Sequence, residues 1–214
     1  MPAGDDWNGG FFKEDPRFWP ILAAARRFAS YADFPAPEEL SLPNVTFVTA
    51  HKPKRTRRRT PAPRDDAYDE RILRGEVPTR PRSWHDFLNA LVWATFPQSK
   101  RALHALQAAA LRRALAGGAR ALPNARAREH DALALLDEGG VLVLDAGNET
   151  LPLAFGHALY EGLVRGGPAA TASCLRFSVP ALPTQEEATA VADRLLAARL
   201  TEPLPPEALS RVAF

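Results

Sequence analysis

Two pairs of polar residues have a spacing that suits acid–base or metal chemistry. His85 and Asn89 are four residues apart within "SWHDFLNALVWATFP", and His157 and Glu161 are four apart within "FGHALYE". Residues four apart on an α-helix lie on the same face. An imidazole beside an amide or a carboxylate can bind a metal ion, or can act as a general base held by its neighbour. The alternative is structural, since such pairs also occur on ordinary helix surfaces and in buried hydrogen-bond networks.

The first pair needs a helix to position it. Ser83 is a candidate N-cap, Asp86 stands three residues later as in a capping box, and Pro97 is expected to end the helix. Steps of 100° per residue place His85 and Asn89 side by side at the border of a wide apolar face. The positive end of the helix dipole disfavours a charged imidazole in the first turn, so His85 is expected to be neutral, the form that binds metals.

The second pair falls in "LPLAFGHALYEGLVRGG", which is predicted to be a helix ending near Gly166. A further acidic group precedes it in "REHDALALLDEGGVLVLDA". Two apolar runs flank "DEGG" there, which favours a β-hairpin with a glycine-containing turn, although a buried helix is the alternative for the first run. The turn explains Asp137 and Glu138 by geometry alone. Asp131, which precedes the apolar run, is the candidate site carboxylate of this segment.

The remaining patterns predict an α+β fold. It is a mostly helical single domain, residues 1–214, with a small antiparallel sheet or hairpin. The other predicted elements are a helix over 15–34 with Asp15 as N-cap, a strand over 43–50, a short helix ending at Gly75, a helix over 99–116, a strand within 172–180, and a helix that begins after Thr184 with Glu187 completing a capping box.

Composition excludes several classes of protein. Hydrophobic residues make up 46% of the 214 residues, which is enough for a sizeable core. The single cysteine, Cys174, rules out an intramolecular disulfide and is predicted to be a small buried residue. No apolar run approaches the roughly 18 residues of a membrane helix, and the N-terminus lacks the pattern of a signal peptide. The sequence therefore predicts a cytoplasmic protein that does not enter a membrane.

Positive charge is concentrated in two stretches, 52–59 and 100–128, which contain no acidic residue. The first belongs to a basic and Pro-rich segment, about 52–67, that is expected to be a mobile loop. Local basic patches are typical of proteins that bind polyanions, although a solvated loop is the simpler interpretation. The candidate nucleic-acid contacts are Lys52, Lys54, Arg55, Arg57, Arg58, Arg59, Arg101 and Arg112.

Three blocks in the same order resemble a known bacterial family. "RILRGEVPTRPRSWHDFLNALVWATFPQSKRAL", "DALALLDEGGVLVL" and "FGHALYE" are similar to the family catalogued as domain of unknown function 3025, over roughly Val45 to Gly166. Arg82 and Ser83 stand where the family has two Asn. The resemblance implies a polar site assembled from three separated segments. The family motif maps onto Arg71, Thr79, Arg80, Trp84, His85, Asp86, Asn89, Pro97, Lys100, Asp131, Asp137, Glu138, His157, Tyr160 and Glu161.

Three functional hypotheses follow. The first is a hydrolase, with catalytic residues His85, Asn89, Asp131, His157 and Glu161. A divalent metal would be bound by His85, His157 and Glu161. Arg80, Trp84 and Lys100 would bind substrate, and the two cations suit an anionic small molecule. The second is a nucleic-acid-binding or partner-binding module that uses the Arg-rich patches. The third is a scaffold without enzymatic activity, in which these polar groups are structural.

Overall fold

In a computed structural model of the chain, residues 6–50, 68–116, 128–167 and 170–214 are described. They form an α+β fold, as predicted, in which helices predominate. The helices are α1 (Leu22–Arg26), α2 (Tyr68–Leu73), α3 (Trp84–Thr95), α4 (Pro97–Ala116), α5 (Arg128–Gly139), α6 (His157–Val164) and α7 (Gln185–Arg199). The strands are β1 (Thr46–Thr49), β2 (Glu76–Thr79), β3 (Gly140–Asp145), β4 (Thr150–Ala154), β5 (Thr171–Ser178) and β6 (Ser210–Ala213). None of the helices in these ranges is both long enough and apolar enough to cross a bilayer.

The strands form two sheets, and neither is purely antiparallel. The larger sheet has the order β4-β3-β5-β6. Its central strand β3 pairs antiparallel with β4 and parallel with β5, and β5 pairs antiparallel with β6. The smaller sheet pairs β1 and β2 in parallel. The prediction of a small antiparallel sheet is therefore corrected to a mixed four-stranded sheet and a separate parallel pair.

The predicted hairpin around "DEGG" is wrong, because the first apolar run is helix α5, which leads directly into β3. Ala132, Leu133 and Leu136 are fully buried, and their spacing of one and four residues is that of a helix face. The second apolar run, 140–145, is β3, whose side chains are almost all buried. The Gly139–Gly140 pair therefore marks the change from helix to strand instead of a tight turn.

Two other predicted helices begin or end differently. The segment 151–154 is not helical but belongs to β4, and α6 begins only at His157. The N-terminal helix is a 3-10 helix over Pro16–Ile21 followed by the short α1, since Pro20 lies inside the predicted helix and cannot donate a backbone hydrogen bond.

The predicted N-caps are confirmed. Ser83 Oγ accepts a hydrogen bond from the Asp86 backbone N–H at 3.3 Å, and Thr184 and Glu187 form a capping box at the start of α7. Asp86 differs from the prediction, because its carboxylate does not return to Ser83. It accepts hydrogen bonds from the backbone N–H and the guanidinium of Arg80, at 2.6 to 2.8 Å, and so ties the end of β2 to the first turn of α3.

Aromatic side chains from the N-terminal segment hold one face of α3 in the core. The Trp84 ring stacks on Trp7, with ring centroids 5.2 Å apart, and makes edge contacts with Phe11 and Phe34. Helix α3 also packs against α6, which in turn packs against α5. This arrangement brings the first turns of α3 and α6 to the C-terminal end of α5.

Candidate metal centre

Two histidines that are 72 residues apart in sequence meet between α3 and α6. The Nε2 atoms of His85 and His157 are 3.0 Å apart, and the two ring centroids are 4.4 Å apart with the rings at 76°. His85 is the second residue of α3 and His157 is the first residue of α6. Each side chain therefore projects from a helix start toward the same point.

Glu138, the penultimate residue of α5, completes the cluster. Its Oε2 lies 3.4 Å from Nε2 of His157. One ligand atom from each of His85, Glu138 and His157 can be chosen so that all lie within 4.8 Å of one another, and among the described residues no other group of three or more His, Cys, Asp or Glu side chains does so. The His157 side chain is buried, whereas the Glu138 side chain is 52% exposed. The group therefore has a buried side and an open side.

Glycine allows the start of α6 to approach the end of α5. A Cβ atom on Gly156 would clash with the carbonyl oxygen of Glu138 and the backbone nitrogen of Gly140. The backbone N–H groups of Phe155 and Gly156 both donate to the Gly140 carbonyl oxygen at 2.9 Å. The residue before His157 must therefore be small enough for direct backbone packing, and this packing sets His157 beside Glu138.

Glu161 lies on the other side of His85. Its Oε2 is 2.9 Å from Nδ1 of His85, and its Oε1 accepts a hydrogen bond from Arg165 at 3.0 Å. A proton on Nδ1 of His85 is then donated to this carboxylate. The lone pair on Nε2 of His85 is left directed toward His157. Glu161 was predicted as a metal ligand, but it contacts the nitrogen that points away from His157. In this geometry it orients His85, and Glu138 is the carboxylate that lies beside the two Nε2 atoms.

The neighbouring carboxylate, Asp137, has a different partner. It forms an ion pair with the ammonium of Lys100, whose side chain is 1% exposed. Lys100 Nζ also lies 5.6 Å from the ring centroid of Trp93. Burial alone would raise the pKa of Asp137, but the charges of Lys100, His157 and His104 outweigh it and hold the pKa well below its usual range. Asp137 is therefore a stable anion that neutralises a buried cation.

Burial shifts the ionisation of the cluster itself. It lowers the pKa of His157 to about 3, an effect that the Asp137 charge opposes and the charges of Lys100 and His85 support. His157 is therefore neutral at ordinary pH. Desolvation raises the pKa of Glu138, as do the nearby carboxylates of Asp137 and Glu161, against the opposing charges of His85 and Lys100. A cation bound beside Glu138 would relieve this unfavourable crowding of negative charge.

The cluster opens onto a cavity of about 330 Å³. Asn89, one turn beyond His85 on α3, lies in its wall with 7% exposure, and its Oδ1 is buried without a hydrogen-bond partner among the described residues. The cavity is lined by Ala50, Pro78, Arg80, His85, Asp86, Asn89, Asp137, Glu138 and His157.

Three predicted site residues lie elsewhere or have different surroundings. Asp131 is exposed on α5 and does not line the cavity, because α5 is a helix and not the predicted strand. Trp84, predicted to bind substrate, is 2% exposed and belongs to the aromatic core. Lys100, also predicted to bind substrate, is buried and paired with Asp137. Arg80 does line the cavity, with its guanidinium bound to Asp86.

The predicted nucleic-acid contacts divide into two groups. Within the described part of the chain, Arg112 is exposed and forms a two-pronged ion pair with Glu70 at 2.8 and 2.9 Å, and Arg101 donates to the Asn44 carbonyl oxygen at 3.3 Å. The other six lie outside the described residues, as does the whole segment 52–67: Lys52, Lys54, Arg55, Arg57, Arg58 and Arg59. Nucleic-acid binding stays a prediction from sequence.

Comparison with known proteins gives one match. The family model described as protein of unknown function (DUF3025) matches residues 56–152. Neither the curated proteins nor the solved structures provided a match. The matched segment contains His85, Asn89 and Glu138, whereas His157 and Glu161 follow it in the chain. The resemblance inferred from the sequence is confirmed over residues 56–152, the segment that matches this family model.

Proposed function

We propose that this protein is a metal-dependent hydrolase. The site would bind one divalent transition-metal ion through Nε2 of His85, Nε2 of His157 and a carboxylate oxygen of Glu138. One observation carries the proposal: one ligand atom from each of these residues, on three helices, lies within 4.8 Å of the other two at the wall of a cavity. Imidazole nitrogen with carboxylate oxygen suits Zn, Mn or Fe.

The distances are compatible with a shared ion. Two imidazole nitrogens that each lie about 2.05 Å from one ion are about 2.9 Å apart at a right angle and about 3.3 Å apart at the tetrahedral angle. The two Nε2 atoms are 3.0 Å apart. Glu138 Oε2, 3.4 Å from Nε2 of His157, needs only a small side-chain movement, and its exposed side chain is free to make one.

The surroundings of the histidines support the same role. Metal binding requires an unprotonated nitrogen, and burial keeps His157 neutral. The Glu161 carboxylate bonds to Nδ1 of His85, the arrangement that commonly orients a metal-bound imidazole and raises its basicity.

Three protein ligands leave coordination positions open for water and substrate. A divalent ion lowers the pKa of a bound water to about 7 in the best-known zinc enzymes, and it polarises a carbonyl or phosphoryl oxygen. The cavity gives a small substrate access to these positions. Hydrolysis is therefore the reaction class that the arrangement suits best.

The test is a titration of the full chain with Co²⁺, whose visible absorption reports its coordination, followed by assays with p-nitrophenyl esters, p-nitroanilides and p-nitrophenyl phosphate. We expect one Co²⁺ per chain with nitrogen ligation, and metal-dependent hydrolysis of at least one substrate class. His85→Ala and Glu138→Gln should remove both. His130→Gln, a histidine on α5 outside the cavity lining, is the matched control. Unchanged binding in His85→Ala would overturn the proposal, and so would the absence of binding in the unmodified chain.

A further inference from the structure

We infer that the site selects an uncharged substrate with an N–H beside its reacting carbonyl, an amide or a ureide, and that Asn89 recognises this group. This inference rests on the proposed metal-dependent hydrolysis and specifies its substrate class. Two independent features carry it: the carboxamide oxygen of Asn89, a cavity-lining residue, has no partner among the described residues, and Arg80 and Lys100 are paired with carboxylates.

The carboxamide of Asn89 is in a position that calls for a ligand. Its side chain is more than nine-tenths buried and lines the cavity, and Oδ1 has no hydrogen-bond partner among the described residues. Leaving a buried polar group unpaired costs about 1–3 kcal/mol, so such groups are usually satisfied by water, by a ligand or by the protein. Asn89 lies one turn from His85 on α3, so a molecule that reaches the metal position passes this amide.

Two cations near the cavity within the described part of the chain are already bound to carboxylates. Arg80 holds Asp86 through two guanidinium nitrogens at 2.8 Å, and Lys100 is paired with Asp137. Glu138 adds a further negative charge to the described lining. To be held by either cation, a phosphate or carboxylate substrate would have to break one of these ion pairs, and the bound metal ion would otherwise be its positive partner in the described lining. Arg80 and Lys100, from which an anionic small molecule was predicted, therefore already have carboxylate partners.

A carboxamide offers one acceptor and two donor hydrogens, which is complementary to the C=O and N–H of an amide. An ester has the carbonyl but lacks the N–H, so it would leave Oδ1 unpaired. Sites built to hydrogen-bond a polar group discriminate strongly against analogues that lack it. In the reaction, the oxygen of water forms a new bond to the carbonyl carbon and the C–N bond breaks. One water proton ends on the leaving nitrogen, which gives a carboxylic acid and an amine.

The test uses two probes that differ only at nitrogen. Acetohydroxamate and N-methylacetohydroxamate chelate metals through the same oxygens, but only the first has an N–H. Their Kd values are measured by calorimetry on the zinc-loaded full chain, together with that of inorganic phosphate. One hydrogen bond corresponds to about a tenfold preference for the N–H probe. Phosphate should bind more weakly than either hydroxamate.

Asn89→Leu, which is nearly the same size and apolar, should abolish the preference, and Asn89→Ala serves as a second variant if the first does not fold. Asn148→Ala, an exposed amide between β3 and β4, should leave the preference unchanged. A preference that survives loss of Asn89, or tighter binding of phosphate than of acetohydroxamate, would overturn the inference while metal-dependent hydrolysis still stood. A chain that binds no zinc would overturn the proposed function as well, and the Co²⁺ titration identifies that case independently.

Discussion

Asp137 and Glu138 are consecutive carboxylates at the end of α5, yet their surroundings differ completely. Asp137 is 15% exposed and pairs with the buried ammonium of Lys100, and its pKa is held below the usual range. Glu138 is 52% exposed and faces two imidazoles, and its pKa is raised by desolvation and by neighbouring carboxylates. One residue step on a helix therefore separates a carboxylate whose charge is neutralised within the fold from one that has a position open to a ligand.

Asp137 and Glu138 show what distinguishes a structural carboxylate from one that can bind a ligand. Both residues belong to the same acidic dipeptide, so residue type does not separate them. What separates them is whether a partner of opposite charge is built into the fold. Lys100 supplies one for Asp137, whereas Glu138 has two imidazoles, one of which is neutral because it is buried. The first group should matter for folding and the second for binding.

The largest expected effect comes from breaking the structural pair. Asp137→Asn leaves the Lys100 ammonium buried without its counter-charge, which typically costs about 3–5 kcal/mol of unfolding free energy. Glu138→Gln, measured in the presence of a chelator, should change the unfolding free energy by less than about 1 kcal/mol, as for most exposed positions. Urea denaturation of the two variants measures both values, and equal losses would show that the two carboxylates do not differ in this way.

A double variant separates the effect of the buried charge from the effect of packing. Lys100→Met with Asp137→Leu removes both charges and keeps similar volumes, and such replacements of buried pairs are often neutral or stabilising by about 1–4 kcal/mol. We therefore expect the double variant to unfold at higher urea concentration than Asp137→Asn. If it were less stable than the single variant, packing and not the ion pair would be the cause of the loss.

The next largest effect is the stabilisation of the fold by bound zinc, which should depend on Glu138. A ligand at one hundred times its Kd adds about 2.7 kcal/mol to the unfolding free energy. Each kcal/mol shifts Tm by about 2–4 °C in a protein of this size, so zinc should raise the Tm of the unmodified chain by about 5–11 °C. Thermal scans with and without zinc should show no rise for Glu138→Gln. In Asp137→Asn the Tm without zinc should be lower, but zinc should still raise it. Loss of that rise would contradict the claim that Glu138, and not Asp137, binds the metal.

A smaller change is expected at Glu161, because it acts through His85. Loss of a group that orients a metal-bound histidine typically weakens metal affinity about 10- to 100-fold. Glu161→Gln should therefore bind zinc more weakly by such a factor, and its unfolding free energy should change little. Glu149→Gln, an exposed carboxylate before β4, is the control. Complete loss of zinc binding in Glu161→Gln would instead place this carboxylate among the direct ligands.

The smallest effect is the pH dependence of stability without metal. The pKa of Asp137 is lowered in the folded chain, so its contribution is fully present above about pH 4 and is lost as the pH falls through the folded value. The pKa of Glu138 is raised above its usual 4.5, so the fold loses stability as the pH rises through the raised value. The stability gap between the unmodified chain and Asp137→Asn should shrink on acidification. Glu138→Gln should gain unfolding free energy relative to the unmodified chain as the pH rises toward neutral. If both variants instead lost unfolding free energy over this pH range, the two carboxylates would not differ as described.

Part of this site could be predicted from sequence, since helical spacing is a local property. The border position of His85, the placement of His157 and Glu161 on one helix, and the Ser83 cap all follow from residue types within one or two turns. The predicted pair of His157 with Glu161 does not, because Glu161 contacts His85 on another helix. That His85 and His157 meet depends on how α3 packs on α6, which no local pattern contains. Glu138 was predicted to be a turn residue, because the two glycines that follow it suggested a β-hairpin. The buried spacing of Ala132, Leu133 and Leu136 was the signal for a helix, and Gly156 before His157 marked a close backbone contact.

The most direct test of the central claim is anomalous X-ray diffraction at the zinc edge from crystals of the full chain grown with zinc. We expect one peak about 2.0–2.2 Å from Nε2 of His85, Nε2 of His157 and a carboxylate oxygen of Glu138, with Asp137 still paired to Lys100. A peak bound by Asp137 or Glu161 in place of Glu138, or no peak between the two histidines, would contradict it.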